Sequence, residues 1–355
     1  CLLEPRVYHK SLYIEAKAQM AKATIGLDVG GAHLKVARVE DARVTAVRQI
    51  ACPLWLGLDQ LDAALADAQS LIADADICAV TMTAELTEIF ETRESGVIQV
   101  LERLQSRLSA ELRIYMGLKG FAAPQLAAGD PISVASANFL ATAALVARKR
   151  RAALLIDMGS TTTDIIACER PLGLSDAERL QTGELVYTGF TRTPVPSVAT
   201  RAPLAGQWQG LARDAFASMA DVRRVLGTLP DDVDQHATTD GRGKSQRESL
   251  DRFARGFGRD ADMRQLSTWQ ISAAYIEERQ LRSLHDGALQ VLSRPGTSIE
   301  CVIAAGIGAR AAEQIGARLA LPTTAFEELI DVAPEHRSWA TRCAPAVAVA
   351  LLALK

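Results

Sequence analysis

"LLIDMGSTTTDI", residues 154 to 165, starts as a buried strand, breaks at Gly159, and resumes after a run of hydroxyl side chains between Asp157 and Asp164. A second stretch, "ATIGLDVGGAHLKVARV" (23 to 39), repeats the order of strand, aspartate, glycine turn and strand around Asp28. Each reads as a β-hairpin whose turn carries no bulky side chain. The backbone N–H groups of Gly30 and Gly31, or of Gly159 and Ser160, can then approach an anion closely. An aspartate beside that anion requires a cation between them. Mg²⁺, which binds one or two carboxylates together with phosphate oxygens and its own waters, suits the position. A lone D-x-G turn joins strands in many proteins without binding anything; the pairing of two such turns is what carries the reading.

A third stretch, "CVIAAGIGA" (301 to 309), is a short β-run that meets Gly306 and Gly308 before a helix, a construction that lets backbone approach a nucleotide or another flat group. Between the two hairpins, a β-run (43 to 50), a helix (59 to 73), a strand (77 to 83), a helix (93 to 109) and a strand (112 to 117) alternate, which defines an α/β chain. The second hairpin opens a second half of similar construction, and two similar halves imply a cleft. From about 207 to 292 the pattern turns helical, interrupted by a polar stretch from 231 to 260 that reads either as a mobile surface loop or as a substrate cover. The boundaries expected are an extension over 1–19, a first lobe over 20–150 and a second lobe over 151–355.

The whole chain narrows the function classes. Its 355 residues suffice for two cores, and a net charge of -3 gives no electrostatic footprint for nucleic acid. The basic cluster at 147 to 151 follows a helical stretch and complements its dipole. The six cysteines show no C-x-x-C or Cys/His spacing, which suits reduced thiols in a cytoplasm. The longest apolar run falls short of the ~18 residues a membrane span needs, and the first nineteen residues lack the continuous apolar core of a secretory signal.

With these elements in place, "IGLDVGGAHLK" resembles the first phosphate motif, "LLIDMGSTTTDI" the second, and "VIAAGIGA" the adenosine motif of the actin, sugar kinase and Hsp70 superfamily. Residues 134 to 147 and "APAVAVALLAL" (344 to 354) resemble the two helices that connect its halves. The resemblance implies a duplicated actin-like (ribonuclease H-like) fold, two lobes around a central cleft, with a mostly helical insertion. The stretches "TMTAELTE" (81 to 88) and "TGELVYTGFTRTPV" (182 to 195) resemble the hydantoinase/oxoprolinase branch. Together with "DDVDQHATTDGRGKS" (231 to 245) they resemble a single-chain group linked to tetrahydromethanopterin-dependent one-carbon metabolism.

That resemblance implies a cytoplasmic transferase of methanofuran or methylofuran coenzyme biosynthesis, joining a furanmethyl diphosphate to the phenol of a glutamyltyramine-like acceptor and releasing diphosphate. Asp28 and Asp157 are then metal carboxylates for Mg²⁺, and Gly30, Gly31, Gly159, Ser160, Thr161 and Thr162 donate to the diphosphate. Strand alternation puts His33 and Lys35 on one face, where Lys35 can reach the phosphates; the superfamily usually has Asn or Thr at the position of His33. Asp164 is a candidate base for the phenol, or a turn-stabilising side chain. Gly306 and Gly308 line the adenosine-like turn. Glu85, Glu184 and Tyr187 in the group-specific stretches, and Arg242 and Lys244 in the polar stretch, are candidate substrate contacts. Two other readings stand beside this one: an ATP-dependent amidohydrolase or small-molecule kinase, with ATP as cofactor, and a non-catalytic nucleotide sensor. Small molecules are the expected partners, with a homodimer possible and neither nucleic acid nor membrane.

Overall fold

The computed structural model describes residues 23–354, so the extension expected over 1–19 lies outside the described residues. The first lobe is a six-stranded sheet in the order β3-β2-β1-β4-β5-β6. Its strands are β1 (Thr24–Val29), β2 (His33–Glu40), β3 (Arg43–Ala51), β4 (Ile77–Met82), β5 (Glu111–Tyr115) and β6 (Phe121–Ala122). Strands β1, β2 and β3 form an antiparallel meander, whereas β4 and β5 run parallel to β1. Helices α1 (Asp59–Asp67) and α2 (Arg93–Arg107) supply Leu61, Leu65, Val97, Val100 and Leu104 to the core on one face. Thr92 opens α2 with a reciprocal cap to Ser95.

The second lobe repeats the plan with β7 (Ala153–Met158), β8 (Thr163–Ala167), β9 (Leu185–Val186), β12 (Cys301–Ala305) and β13 (Thr323–Ala325), ordered β13-β12-β7-β8-β9. The order β2-β1-β4-β5 in one lobe matches β8-β7-β12-β13 in the other, strand for strand and direction for direction. All residues of β1, β4 and β7 are buried, as expected of central strands covered on both faces.

Two helices fill the space between the sheets: α3 (Asn138–Lys149) and α9 (Ala344–Leu352). Their small apolar residues, with Phe139, Leu145 and Val347, share one core with Ala37 and Val39 of the first sheet and Leu155 and Ile303 of the second. Arg148 and Lys149 end α3, which explains the basic cluster. Helix α9 lies so close to β1 that a Cβ on Gly26 would sit 1.9 Å from the Ala346 carbonyl oxygen.

The insertion starts earlier than the composition indicated and is not wholly helical. A hairpin of β10 (Arg201–Leu204) and β11 (Gln207–Gly210) precedes α5 (Met219–Leu226), α6 (Gln246–Arg255) and α7 (Leu266–Leu292). The polar stretch 231 to 260 is therefore no uninterrupted loop. Ser245 and Glu248 form a reciprocal cap that starts α6, and Phe253 and Phe257 pack edge-on against Trp269 of α7. Arg252, fully buried, binds the carboxylates of Asp221 and Asp240 and the Gly243 carbonyl, which pins the segment before α6. Helix α8 (Ala309–Arg318) covers the outer face of the second sheet.

The contact at Gly26 generates a test. Gly26→Ala drives a methyl group into the α9 backbone and lowers the free energy of unfolding by about 3 kcal/mol, the upper range for overpacking. Gly210→Ala, where the new methyl meets open space, changes it by less than about 0.5 kcal/mol. Denaturant titration of the two variants checks this.

Candidate active site

The two hairpin turns face each other across a cleft of about 660 Å³. In each, the first glycine closes the turn on itself: Gly30 donates its N–H to the His33 carbonyl at 2.9 Å, and Gly159 donates to the Thr162 carbonyl at 2.9 Å. These two N–H groups, expected to face an anion, are therefore occupied. The N–H groups that follow, on Gly31 and Ala32 and on Ser160, Thr161 and Thr162, have no acceptor among the described residues, and all five residues line the cleft. Gly31 is needed because a Cβ there would lie 2.9 Å from Oγ1 of Thr87. The second turn is braced from behind by residues 189 to 192: Phe190 donates to the Gly159 carbonyl and Arg192 to the Ser160 carbonyl, both at 2.9 Å. Gly189 permits that approach, since a Cβ there would stand 2.4 Å from the Ser160 backbone.

The register makes the hairpins comparable. Asp28 lies opposite Lys35 on β2, and Asp157 lies opposite Asp164 on β8. All four line the cleft. Lys35 Nζ holds Asp28 Oδ2 at 2.9 Å, so its charge goes to the carboxylate rather than standing free for phosphate. Burial works against the ammonium, but the carboxylates of Asp28 and Asp157 outweigh it and the Lys35 pKa is raised. Asp157 is in the opposite position. Burial, together with Asp164 and Asp28 and only partly offset by Lys35, pushes its pKa up to about 7. Asp164 pairs with Arg179 of α4 (Asp176–Thr182), which also holds Asp176 at 2.5 Å and stacks on Phe139 of α3. Asp164 is thus tied to a helix of the second lobe rather than to its own turn, and burial raises its pKa.

Three carboxylates, Asp28, Asp157 and Asp164, share the floor with two cations, Lys35 and Arg179. Asp28 Oδ1 is buried without a hydrogen-bond partner. An unpaired carboxylate oxygen of this kind fits a hard divalent cation, which Asp28 and Asp157 could hold. Among the described residues no cluster of three or more His, Cys, Asp or Glu side chains forms a closed metal cage; a two-carboxylate site completed by water and phosphate is the arrangement compatible with that.

The other expected residues are dispersed. Tyr187 lines the cleft rim and is 66% exposed. Glu85 is buried beneath the cleft, accepting from Ser136 Oγ at 2.8 Å and facing Arg93 at 3.5 Å. Glu184 is fully buried away from the cleft; it accepts the Leu172 and Gly173 N–H groups and pairs with Arg294 at 2.9 Å. Gly306, with φ +81°, and Gly308 pack against β7: a Cβ at Gly306 would meet the Met158 carbonyl oxygen at 2.3 Å, and one at Gly308 the Met158 sulfur at 2.5 Å. Arg242 and Lys244 stand outside the cleft, near Asp240 and the Asp234 carbonyl respectively. Glu85, Glu184, Arg242 and Lys244 are not among the residues that line the cleft, and each is held by a local partner.

Residues not singled out in the sequence complete the site. Gln49, Trp55 and Arg192 line the cleft. Arg192 stacks over Trp55 at 4.7 Å and, among the described residues, has no carboxylate within ion-pair distance. From the insertion, Gln235 Nε2 donates to the Gln49 carbonyl at 3.1 Å, and the His236 ring lies 4.5 Å from that of His33 and 5.3 Å from that of Trp55. The polar stretch thus reaches the cleft through residues 235 and 236, rather than 242 and 244.

A duplicated sheet with two glycine turns and two strand-end aspartates facing one cleft is the actin, sugar kinase and Hsp70 class of α/β protein. Within that class the chain belongs to the hydantoinase/oxoprolinase family, whose model matches residues 76–319. A protein of Methanocaldococcus jannaschii is 30% identical over 243 residues, covering 67% of this chain and 72% of its own. It is named as the synthase of a furan-2-yl methanamine bearing a γ-L-glutamylaminoethyl-phenoxymethyl group. A Methanococcus vannielii protein of the same name is 32% identical over 105 residues, covering 29% of this chain and 47% of its own. A Streptomyces griseus ROK-family glucokinase, solved with glucose and AMPPNP, aligns at 15% identity and a TM-score of 0.45 over 92% of this chain and 98% of its own.

The raised pKa of Asp157 sets a pH dependence. The folded protein retains a proton on Asp157 that the unfolded chain releases near the ordinary carboxylate value, so stability present below about pH 4 is lost as pH rises through about 7. Asp157→Asn removes that loss and makes the metal-free protein roughly 2–4 kcal/mol more stable than wild type at pH 8, with little difference at pH 4. Urea unfolding at the two pH values, in chelator, reads the effect.

Proposed function

We propose that the chain is a transferase that joins the methylene carbon of a furanmethyl diphosphate to the phenol oxygen of a glutamyltyramine-like acceptor and releases diphosphate, in methanofuran or methylofuran biosynthesis. The observation that carries this reading is the pair of open turns, with Gly31, Ala32, Ser160, Thr161 and Thr162, whose N–H groups have no acceptor among the described residues, lining one cleft whose carboxylates lack a full complement of cations. Such a floor repels a bare diphosphate and receives it with a divalent cation. The name of the M. jannaschii relative supports the bond type, because a phenoxymethyl furan contains the aryl ether that this transfer makes.

When bound, Mg²⁺ at Asp28 and Asp157 would supply Lewis-acid stabilisation to the departing diphosphate. The protein's share is positional. The turn N–H groups hold the phosphate oxygens where negative charge grows as the carbon–oxygen bond breaks, a preorganised arrangement that needs no rearrangement during reaction. Lys35 fixes the Asp28 carboxylate in one orientation. Arg192, without a carboxylate partner among the described residues, offers a further charge-assisted donor to the substrate anion.

Purified protein given Mg²⁺, furanmethyl diphosphate and the phenol forms ether and diphosphate without ATP; a strict ATP requirement, with ADP formed in step with product, moves the chain to the amidohydrolase or kinase reading. Asp157→Asn, although folded, loses more than about 90% of the rate, equivalent to at least ~1.4 kcal/mol of barrier stabilisation. Retention of more than a tenth overturns its role as a metal carboxylate.

A further inference from the structure

One corner of the cleft is built more elaborately than diphosphate binding requires. Residues His33 and Lys35 project from the same face of β2, and Gln49 on β3 is the register partner of Lys35. These side chains therefore form neighbouring points on one sheet face beside Asp28. His33 and Gln49 are each 5% exposed and both line the cleft. Yet Nε2 of His33 and Nε2 of Gln49 have no hydrogen-bond partner. Leaving a buried donor or acceptor unmade is costly, so two at one cleft wall mark a place where a ligand supplies the missing partners. Behind them, the rings of His33, His236 and Trp55 stand in a row at 4.5 and 5.3 Å.

We propose that this corner is the acceptor subsite: a phenolic hydroxyl donates its hydrogen to Nε2 of His33 and accepts from Nε2 of Gln49, with its ring beside the His33–His236–Trp55 row. His33 is then the base of the transfer. The assignment rests on the ether-forming reading above and deepens it. A phenol carries one donor and an accepting oxygen at the edge of a flat apolar ring, and the corner offers the complement of all three. Its position beside Lys35 and Asp28 puts the phenol oxygen next to the turns that hold the leaving group.

In the transfer, the phenol oxygen forms the new bond to the furanmethyl carbon. The bond from that carbon to the diphosphate oxygen breaks, and its electron pair leaves with diphosphate. The phenolic proton passes to His33 Nε2 and from there to solvent after product departs. Burial first, then His236 and Lys35, hold the His33 pKa well below its ordinary value, so in the free protein the ring is neutral and presents a lone pair to the phenolic hydrogen; as a weak base it takes the proton only as bond formation to carbon acidifies the phenol oxygen. Asp164, the base considered from sequence, is held by Arg179.

Two substitutions keep the packing while removing the hydrogen-bonding atoms: His33→Phe and Gln49→Met. Each protein, loaded with Mg²⁺ and inorganic diphosphate, is titrated with tyramine and with phenethylamine, which lacks the hydroxyl. Wild type binds tyramine more tightly by about tenfold or more, and both variants lose that preference. Equal preference in all three proteins, or no tyramine binding to wild type, overturns the subsite. In turnover, His33→Phe lowers kcat by about 100-fold. A ring-fluorinated tyramine, whose hydroxyl is more acidic, restores a larger fraction of rate to this variant than it adds to wild type; equal gains refute the base. If wild type binds tyramine with the hydroxyl preference but makes no ether, the transferase reading fails and the phenol subsite stands. If both variants make ether at the wild-type rate, the subsite fails and the transferase reading stands.

Discussion

The Lys35 ammonium is the charge around which the cleft is organised. It pairs with Asp28 of its own hairpin and feels Asp157 of the other, so a single cation serves carboxylates from both lobes. One charge cannot fully satisfy both, and the shortfall is visible as an unpartnered Asp28 oxygen and an Asp157 that holds its proton up to about pH 7. A protein with no use for a further cation would relieve this strain by exchanging one aspartate for an amide. Keeping both carboxylates under-compensated suits the divalent cation proposed above and the phosphate oxygens that would accompany such an ion.

The duplication explains why the two hairpins share geometry and diverge in chemistry. Lys35 and Asp164 occupy equivalent positions opposite the two strand-end aspartates. Two lysines would give the floor an unneeded positive excess, and two aspartates would leave four carboxylates close together. The mixed pair is viable because Arg179, seated on Phe139 of the interlobe helix α3, neutralises Asp164 from behind. That contact also ties the second lobe to the element between the lobes, so the charge balance of the floor and the relative placement of the sheets depend on common residues.

Much of this was legible locally. The glycine turns, the strand-end aspartates and the alternating strands lie within short windows, and a period-2 pattern assigns His33 and Lys35 to one face without tertiary information. The cap of α6 was legible as well: Ser245 and Glu248 have the three-residue spacing of a capping box, but the charge density around them obscured the helix and made 231 to 260 look like one loop. What could not be read locally is pairing at a distance. Glu184 looks like a free carboxylate until Arg294 and two backbone N–H groups meet it. His236 sits about two hundred positions from His33 in a stretch with no regular periodicity, so only the folded insertion brings the two rings together.

That meeting has a physical logic of its own. The insertion descends from the second lobe and touches the first through Gln235 on the Gln49 carbonyl and His236 on His33, while Asp232 pairs with Arg342 at 2.7 Å just ahead of α9. Two imidazoles 4.5 Å apart, with Lys35 and Arg192 nearby, are neutral in the free protein: burial followed by these neighbours lowers both pKa values, that of His236 to about 4. The bridge over the cleft is consequently made of neutral rings at its inner end and an ion pair at its outer end. A neutral inner end leaves the field of the floor to the carboxylates and to whatever cation and anion enter. It also leaves the unpartnered nitrogen of His33 open to a hydrogen bond beside a site otherwise dominated by fixed charge.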